Sequence, residues 1–269
     1  MTYWCDSGWL RRGGAAAGLL AMLAGCAHAP SEPLSSDLSQ SAWARTETSA
    51  DSGGASASSP WTHQTFPGKR ATQYQYERKN GRDAVLVRAV SSASMLRQTV
   101  RIEPERLGQL RFSWMVPALI SAADLAQRDT DDSPVRIVLA FEGDRARFSA
   151  KDAALSELSE VLTGEPLPYA TLMYVWSNRR APGSVIINPR TSRIRKLVME
   201  SGPERLLQWL DYERDVRADF VKAFGEAPGA LLAIGIMTDT DNTRSEAQAW
   251  YGPVRHVAVQ GKSRTAKVD

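Results

Sequence analysis

Two aspartate-rich segments carry the residue types best suited to binding a cation. One spans residues 129–134 (Asp-Thr-Asp-Asp-Ser-Pro) and the other spans residues 239–243 (Asp-Thr-Asp-Asn-Thr). Carboxylate and amide oxygens are the ligands that calcium prefers. A calcium site assembled from both loops, with Asp131, Asp239 and Asp241 as ligands, is one interpretation. Asx turns that end the neighbouring strands are the other interpretation.

The second segment begins like an EF-hand loop but does not continue as one. Arg244 stands at the position that requires glycine, and Trp250 stands at the position that requires a bidentate glutamate. An EF-hand is therefore excluded. We predict that the protein has no resident cofactor, with calcium as the one exception that the two loops leave open.

Arg136 is a cation inside the otherwise apolar run 135–141. In a strand it shares a face with Val138 and Ala140. It is therefore either an exposed side chain or a buried cation that needs a carboxylate. The candidate partners are Asp132, Asp239 and Asp241, because a buried guanidinium favours bidentate pairing. We take a structural salt bridge as the default, with contact to a ligand as the alternative.

An aromatic stripe in the run 170–176 suggests a different kind of site. Tyr174 and Trp176 point to the same face of a strand and lead into polar residues. The stripe is either sandwich core or a platform on which a sugar ring stacks. The predicted rim of that platform is formed by Tyr174, Trp176, Asn178 and Arg179.

None of the common catalytic motifs is present in the sequence. It contains no G-x-S-x-G, S-x-x-K, H-E-x-x-H or phosphate-binding glycine loop. His63 lies beside a linker and His256 lies within a predicted strand, so neither is an attractive general base. No strand carries the alternating acids of laminarinase-type glycosidases. An acid pair could still converge from residues distant in sequence, namely Glu142, Asp144, Glu165, Glu200, Asp215 and Asp219.

Composition narrows the class of protein further. The chain has 269 residues, of which 43% are hydrophobic and 23% are charged, so it is neither a disordered chain nor a multi-span membrane protein. The net charge of +3 is too small for a nucleic-acid binder. Three histidines and two cysteines exclude multi-histidine or cysteine-rich zinc sites and a disulfide framework.

The first 25 residues are typical of a signal peptide. Arg11 and Arg12 precede a short apolar stretch that ends in Leu23-Ala24-Gly25-Cys26. This ending resembles the bacterial lipobox, which implies acylation of Cys26 and a mature chain that begins there. Ala27 follows the cysteine instead of aspartate, which in such lipoproteins implies sorting to the outer membrane. We therefore expect a domain that is anchored to a membrane by lipid and faces the periplasm.

Residues 26–60 form the next segment, rich in Ser, Ala and Gly, and no helical or strand period can be read in it. A flexible tether of this length reaches roughly 30 Å. The folded unit is predicted to be a single domain at residues 61–260, followed by a polar tail at residues 261–269.

Within that domain the dominant signal is extended structure. We predict a mostly β fold, a β-sandwich or jelly roll with two or three accessory helices. Helices are predicted at residues 149–162 and 205–224, where apolar residues recur at helical spacing. Phe112 and Trp114 are predicted to lie in the core. The predicted strands are residues 85–90, 96–102, 110–116, 135–141, 170–176, 194–199, 231–237 and 254–259.

Four segments together resemble the bacterial DUF3047 family, a domain of unknown function. They are residues 66–69 (Phe-Pro-Gly-Lys), 131–136 (Asp-Asp-Ser-Pro-Val-Arg), 163–176 and 234–243. The resemblance covers residues 61–259 and implies a β-rich envelope domain with no assigned chemistry. One departure is Tyr251-Gly252-Pro253, where the family is expected to read Tyr-Gly-Asp, so any role of a carboxylate at that point is lost or relocated.

Three functions remain open from the sequence. The first is a non-catalytic module, tethered to the outer membrane, that binds a saccharide or another envelope component. The second is a glycan hydrolase with an unidentified carboxylate pair. The third is a structural or assembly lipoprotein that docks an unidentified protein partner through the predicted helix 205–224.

Overall fold

The computed structural model describes residues 61–258. The predicted signal peptide, Cys26, the tether and the polar tail lie outside these residues and stay predictions. No helix between residues 61 and 258 combines the length and the apolar character needed to cross a membrane.

Two β-sheets and two α-helices make up the described part of the chain. The helices are α1 (Ala150–Thr163) and α2 (Val216–Phe224), and short 3₁₀ turns lie at Pro104–Arg106, Arg128–Thr130 and Arg145–Arg147. The strands are β1 (Thr62–Thr65), β2 (Gln73–Lys79), β3 (Arg82–Val90), β4 (Ser94–Ile102), β5 (Gln109–Met115), β6 (Ser133–Phe141), β7 (Ala170–Ser177), β8 (Val185–Ile187), β9 (Ile194–Ser201), β10 (Leu210–Asp215), β11 (Leu231–Asp239), β12 (Glu246–Tyr251) and β13 (Arg255–Val257).

The strands form a seven-stranded sheet and a six-stranded sheet. The order in the first is β1-β4-β11-β6-β7-β9-β8, and in the second it is β10-β5-β12-β3-β2, with β13 also pairing with β5. All pairs are antiparallel except β7 with β9. The predicted mostly β sandwich with accessory helices is confirmed.

Alternation along the strands builds the core between the sheets. On β6, Val135, Ile137, Leu139 and Phe141 are fully buried in one cluster that contains residues of both sheets. Aromatic rings join the layers, since Phe112 on β5 stacks on Tyr174 of β7 with the ring centroids 5.4 Å apart. Phe112 and Trp114 therefore lie in the core, as predicted.

The strands missed by the sequence analysis are short or polar. All eight predicted runs contain a strand, whereas β1, β2, β8, β10 and β12 were not predicted. β2 shows the cause, because its sequence QYQYERK contains no aliphatic residue and only Tyr76 is buried.

Helix α1 lies at the position predicted for the first helix, but its apolar residues are largely exposed. Ser149 caps its N-terminus by accepting from the Asp152 N–H, and Gly164 ends it with φ of 77°. Leu158, Val161 and Leu162 are all exposed. Asp152 is buried instead, because its carboxylate accepts hydrogen bonds from the hydroxyls of Thr191, Ser192 and Ser149.

The predicted helix at residues 205–224 is wrong over its first half. Residues 210–215 form β10, which pairs with β5 so that Leu210 lies opposite Trp114 and Tyr212 lies opposite Phe112. Leu210 fits both a helical and a strand period. Stacking of the Tyr212 ring on the Phe112 ring, with their centroids 5.0 Å apart, favours the strand. Only α2 remains helical, so the single long docking helix of the third hypothesis does not exist.

The buried histidine of β13 generates a prediction about pH. His256 is 1% exposed, and its Nε2 accepts from the backbone N–H of Gly108, which requires the neutral ring. Burial, together with nearby Arg106, lowers its pKa from 6.5 to about 4. Between pH 6.5 and pH 4, His256 binds a proton in the unfolded chain but not in the folded chain. The free energy of unfolding therefore falls as the pH falls from 6.5 to 4.

We predict that His256→Gln flattens this part of the pH profile, because glutamine keeps a hydrogen-bond acceptor but does not titrate. Urea unfolding at pH 4 and pH 6.5 measures the free energy of unfolding of the wild type and of the variant. The contributions of ionisable groups that both proteins share cancel when the two pH dependences are compared. The wild type is expected to lose on the order of 3 kcal/mol more than the variant across this window. Equal losses in both proteins would contradict the assignment.

Candidate functional site

A groove lies on the outer face of the seven-stranded sheet, the face turned away from the six-stranded sheet. We call it the outer groove, and its volume is about 440 Å³. The floor is formed by side chains of β4, β6, β7 and β11 that alternate with the core residues. These floor residues are Met95, Val138, Ala140, Met173, Ala233 and Met237.

Small residues in the central strands make the floor deep enough to be a groove. Ala233 lies opposite Ala140, and Gly235 lies opposite Val138 in the pairing of β11 with β6. A Cβ atom on Gly235 would collide with the side chain of Met95. The missing side chain therefore lets Met95 lie across the sheet.

Residues 163–168, between α1 and β7, form one wall of the outer groove. The hydroxyls of Ser159 and Thr163 each donate to the Glu165 carbonyl at 3.0 Å, which fixes the start of this wall. Arg145 Nη2 donates to the Leu167 carbonyl at 2.6 Å, and Arg97 Nη1 pairs with Glu165 Oε2 at 2.6 Å. The wall is thus tied to α1, to the 3₁₀ turn Arg145–Arg147 and to β4, and it belongs to one of the segments that carry the family resemblance.

A smaller polar pocket adjoins the outer groove. It has a volume of about 220 Å³, and Phe66, Met173 and Met237 line both cavities. Charged residues of both signs surround it: Lys69, Asp131, Arg136, Arg190, Asp239 and Asp241. The outer face of the sheet therefore presents an apolar groove that is charged at one end.

The charged end is organised around Arg136, which is 3% exposed. Its Nε donates to Asp239 Oδ1 at 2.8 Å, and its Nη2 donates to Asp131 Oδ1 at 3.1 Å. Lys196 Nζ lies 2.6 Å from the other oxygen of Asp131. Four buried charges thus form one connected network beneath the pocket.

Burial and pairing act in opposite directions on these groups. Burial raises the pKa of Asp239 to about 6, although Arg136 opposes the shift. Burial also acts to raise the pKa of Asp131, but Arg136 and Lys196 outweigh it and hold that pKa below its usual value. Burial and the neighbouring Arg136 lower the pKa of Lys196 to about 8.

The predicted partners of Arg136 are only partly correct. Asp239 is a partner as predicted, whereas Asp132 is not, because its carboxylate accepts from the backbone N–H groups of Asn242 at 3.2 Å and Thr243 at 2.7 Å. Asp241 pairs with Lys69. The missed partner is Asp131, which the sequence analysis weighed only as a calcium ligand.

The calcium hypothesis is weakened by these contacts. Carboxylate oxygens of Asp132, Asp239 and Asp241 lie within 4.8 Å of one another, so this trio, and not the predicted one with Asp131, converges. Each member is already engaged by Arg136, by Lys69 or by backbone N–H groups. A calcium ion would have to displace these partners.

The predicted sugar platform is wrong, because Tyr174 and Trp176 are 0% and 1% exposed. Leu172, Tyr174 and Trp176 face the core, and the alternate residues Thr171 and Met173 face the outer groove. Tyr174 also donates to Asp219 Oδ2 at 2.9 Å, and Trp176 Nε1 donates to the Gly202 carbonyl at 3.0 Å.

The polar half of the predicted rim has no shared function either. Asn178 Nδ2 donates to the carbonyls of Ile120 and Ala123, so it holds a loop, while Arg179 is exposed.

A second cavity, more open and about 630 Å³ in volume, lies against the six-stranded sheet. Its charged residues are largely paired with one another, as in Arg82 with Asp211 at 2.6 Å and Arg111 with Glu213 at 3.0 Å. The outer groove combines an apolar floor with few polar groups and is the better candidate site.

Fold and site together define a β-sandwich domain with an apolar groove on the outer face of one sheet. The family described as "Protein of unknown function (DUF3047)" matches residues 59–255, and the chain belongs to this family. No curated protein matches the chain in sequence.

Among solved structures, the chain is similar to the xyloglucanase domain of NopAA, a type three effector from Sinorhizobium fredii, in complex with cellobiose. The identity is 8%, the TM-score is 0.40, and the match covers 74% of this chain and 93% of that one. A likeness at this level carries no argument about function.

We predict that Arg136→Met strongly destabilises the protein. Removing Arg136 takes the paired guanidinium away from buried Asp239 and leaves Asp131 with Lys196 alone, and breaking a buried pair in this way typically costs about 3–5 kcal/mol. Arg78→Met is the matched control, because Arg78 is 64% exposed and pairs with Asp83 at 3.5 Å. Such a surface pair contributes about 1 kcal/mol at most. Urea unfolding at pH 7 measures the free energy of unfolding of both variants. Equal stability of the two variants would contradict the role given to Arg136.

Proposed function

We propose that this protein is a non-catalytic binding module of the bacterial cell envelope that holds the apolar part of an envelope component in the outer groove. The observation that carries the proposal is the groove itself. Its volume of about 440 Å³ falls within the roughly 300–1,000 Å³ typical of small-molecule sites. The apolar floor residues lie on the outer face of the sheet, opposite the side chains that form the core between the two sheets.

The chemistry of the lining supports an apolar ligand. Met95, Met173 and Met237 contribute flexible thioether side chains, which adapt to varied apolar shapes. The polar groups are few, and Gln64, Arg97 and Arg145 stand at the walls. Burial of an apolar chain contributes about 25 cal/mol per Å² removed from water.

The same observations favour an apolar ligand over a stacked saccharide. The aromatic pair that suggested stacking lies in the core, and Phe66 is the aromatic residue that lines the outer groove. They also favour binding over hydrolysis. Asp239 and Asp241 converge, yet each is bound to a cation, Arg136 or Lys69.

Apolar surface continues from the groove onto α1. Ser159 and Thr163 line the groove, while Leu158, Val161 and Leu162 on the same helix are 53%, 83% and 57% exposed. Exposed leucines at helical spacing beside a groove suit contact with an apolar ligand or the surface that delivers it.

We predict that Ala140→Trp blocks the outer groove, because the indole would occupy the middle of its floor. The probe is N-phenyl-1-naphthylamine, an uncharged apolar fluorophore, titrated into the full chain carrying Cys26→Ser so that no acyl group competes. The wild-type groove is expected to bind the probe, and Ala140→Trp to weaken binding at least tenfold.

Ala154→Trp is the matched control, since Ala154 is exposed on α1 and does not line the groove. It is expected to bind the probe as the wild-type groove does. Circular dichroism checks that both variants are folded. Absence of probe binding to the wild-type groove, or unchanged binding in Ala140→Trp, would refute the proposed function.

The envelope location is part of the proposal and is supported by the sequence Leu23-Ala24-Gly25-Cys26. We predict that the wild-type chain carries a diacylglyceryl group on Cys26 and sediments with outer membranes, and that Cys26→Ser carries no such group and does not sediment with outer membranes. Mass spectrometry of the mature N-terminus and membrane fractionation test this. An unmodified Cys26 would rule out the lipid anchor without affecting the groove.

A further inference from the structure

The outer groove carries an excess of positive charge. Its ionisable lining residues are Arg97, Arg145 and Glu165, and Arg97 pairs with Glu165 at 2.6 Å. This leaves Arg145 as the uncompensated cation of the groove. By contrast, the lining of the polar pocket balances Lys69, Arg136 and Arg190 against the three aspartates 131, 239 and 241.

The guanidinium of Arg145 is largely available for a ligand. Its hydrogen bond within residues 61–258 goes from Nη2 to the Leu167 carbonyl, and no carboxylate in that part of the chain pairs with it. A guanidinium has five N–H donors in a planar fork that matches carboxylate and phosphate oxygens. A ligand oxyanion can therefore bind Arg145 while the contact with Leu167 persists.

The position of Arg145 relative to the floor sets the direction of a bound ligand. Arg145 lies in the 3₁₀ turn that follows β6, and the floor runs back along this strand through Ala140 and Val138 toward Arg136 of the polar pocket. The span from residue 140 to residue 136 is about 13 Å at the usual rise of a strand. A head group at Arg145 thus places an attached chain over the apolar floor, directed toward the polar pocket.

We infer that the ligand of the outer groove is an anionic amphiphile, with one oxyanion head group bound by Arg145 and one apolar chain lying along β6. This inference rests on the proposed function and specifies its ligand class. A fatty carboxylate and an alkyl phosphate share this chemistry. The floor binds the apolar chain of the ligand, and Arg145 favours ligands with an anionic head group.

The experiment compares four ligands that carry a straight apolar chain of nine or ten carbons and differ in the head group. Decanoate, decyl phosphate, decanol and decyltrimethylammonium are used to displace N-phenyl-1-naphthylamine at pH 8 from the full chain carrying Cys26→Ser. We expect at least one of the two anions to bind about tenfold more tightly than decanol, and the cation to bind more weakly than decanol. The better anion identifies the type of head group. Lengthening the chain should tighten binding about fourfold per methylene until the floor is filled.

Arg145→Gln is expected to abolish the preference for anions while the neutral probe still binds. Arg147→Gln is the matched control, because it removes the same charge two residues further along the chain. The Arg147 side chain pairs with Glu226 and does not line the groove. It should keep the preference. Arg145→Lys keeps the charge and a donor for Leu167, and it should keep most of the preference.

The outcomes separate the inference from the proposed function. If the wild-type groove binds the probe and decanol but neither anion more tightly, the inference is wrong and the proposed function stands. If the wild-type groove binds neither probe nor decanol, the proposed function itself fails. If Arg145→Gln no longer binds the probe, the result for Arg145→Lys tests the inference. Binding of the probe by Arg145→Lys without a preference for anions would overturn the inference.

Discussion

The two-residue alternation of the central strands is the constraint on which both the core and the site depend. On β6, odd-numbered residues from Val135 to Phe141 fill the space between the sheets, and the even-numbered Arg136, Val138 and Ala140 face outward. β11 pairs with β6 so that small residues meet on the outer side. A shift of one residue in either strand would exchange the two faces, placing a charge in the core and removing the groove.

The aspartate-rich segments secure this register. Asp131 precedes β6 and Asp239 ends β11, and both carboxylates bind the Arg136 guanidinium. Asp239 Oδ1 also accepts from the Ser133 N–H at 3.0 Å, so one side chain links the ends of both strands. The polar cluster that suggested chemistry in the sequence thus holds in place the apolar floor that the sequence did not reveal.

The strands and helices were predictable from the sequence where buried and exposed residues recur in a regular pattern along the chain. The site leaves no such pattern and was not predictable. Strands rich in β-branched residues and the Ser149 to Gly164 limits of α1 could be read directly, whereas β10 fits two periods and is decided by stacking of Tyr212 on Phe112. The alternation of β7 indicates two faces without saying which is covered by the second sheet, so the sequence leaves Tyr174 open between core and ligand platform and gives no signal for Met173. A groove with small residues in its floor, such as Ala140 and Ala233, leaves no positive signal in a single sequence.

Methionine methyl NMR tests the central claim, that the outer face of the seven-stranded sheet binds an apolar ligand, most directly. Met95, Met173 and Met237 line the outer groove, while Met115 and Met199 pack in clusters elsewhere in the described structure. Titration of ¹³C-methyl-methionine protein with decanol is predicted to shift the three groove resonances and to leave the other two in place. Unchanged resonances of Met95, Met173 and Met237 at saturating ligand, or shifts confined to Met115 or Met199, would contradict the account.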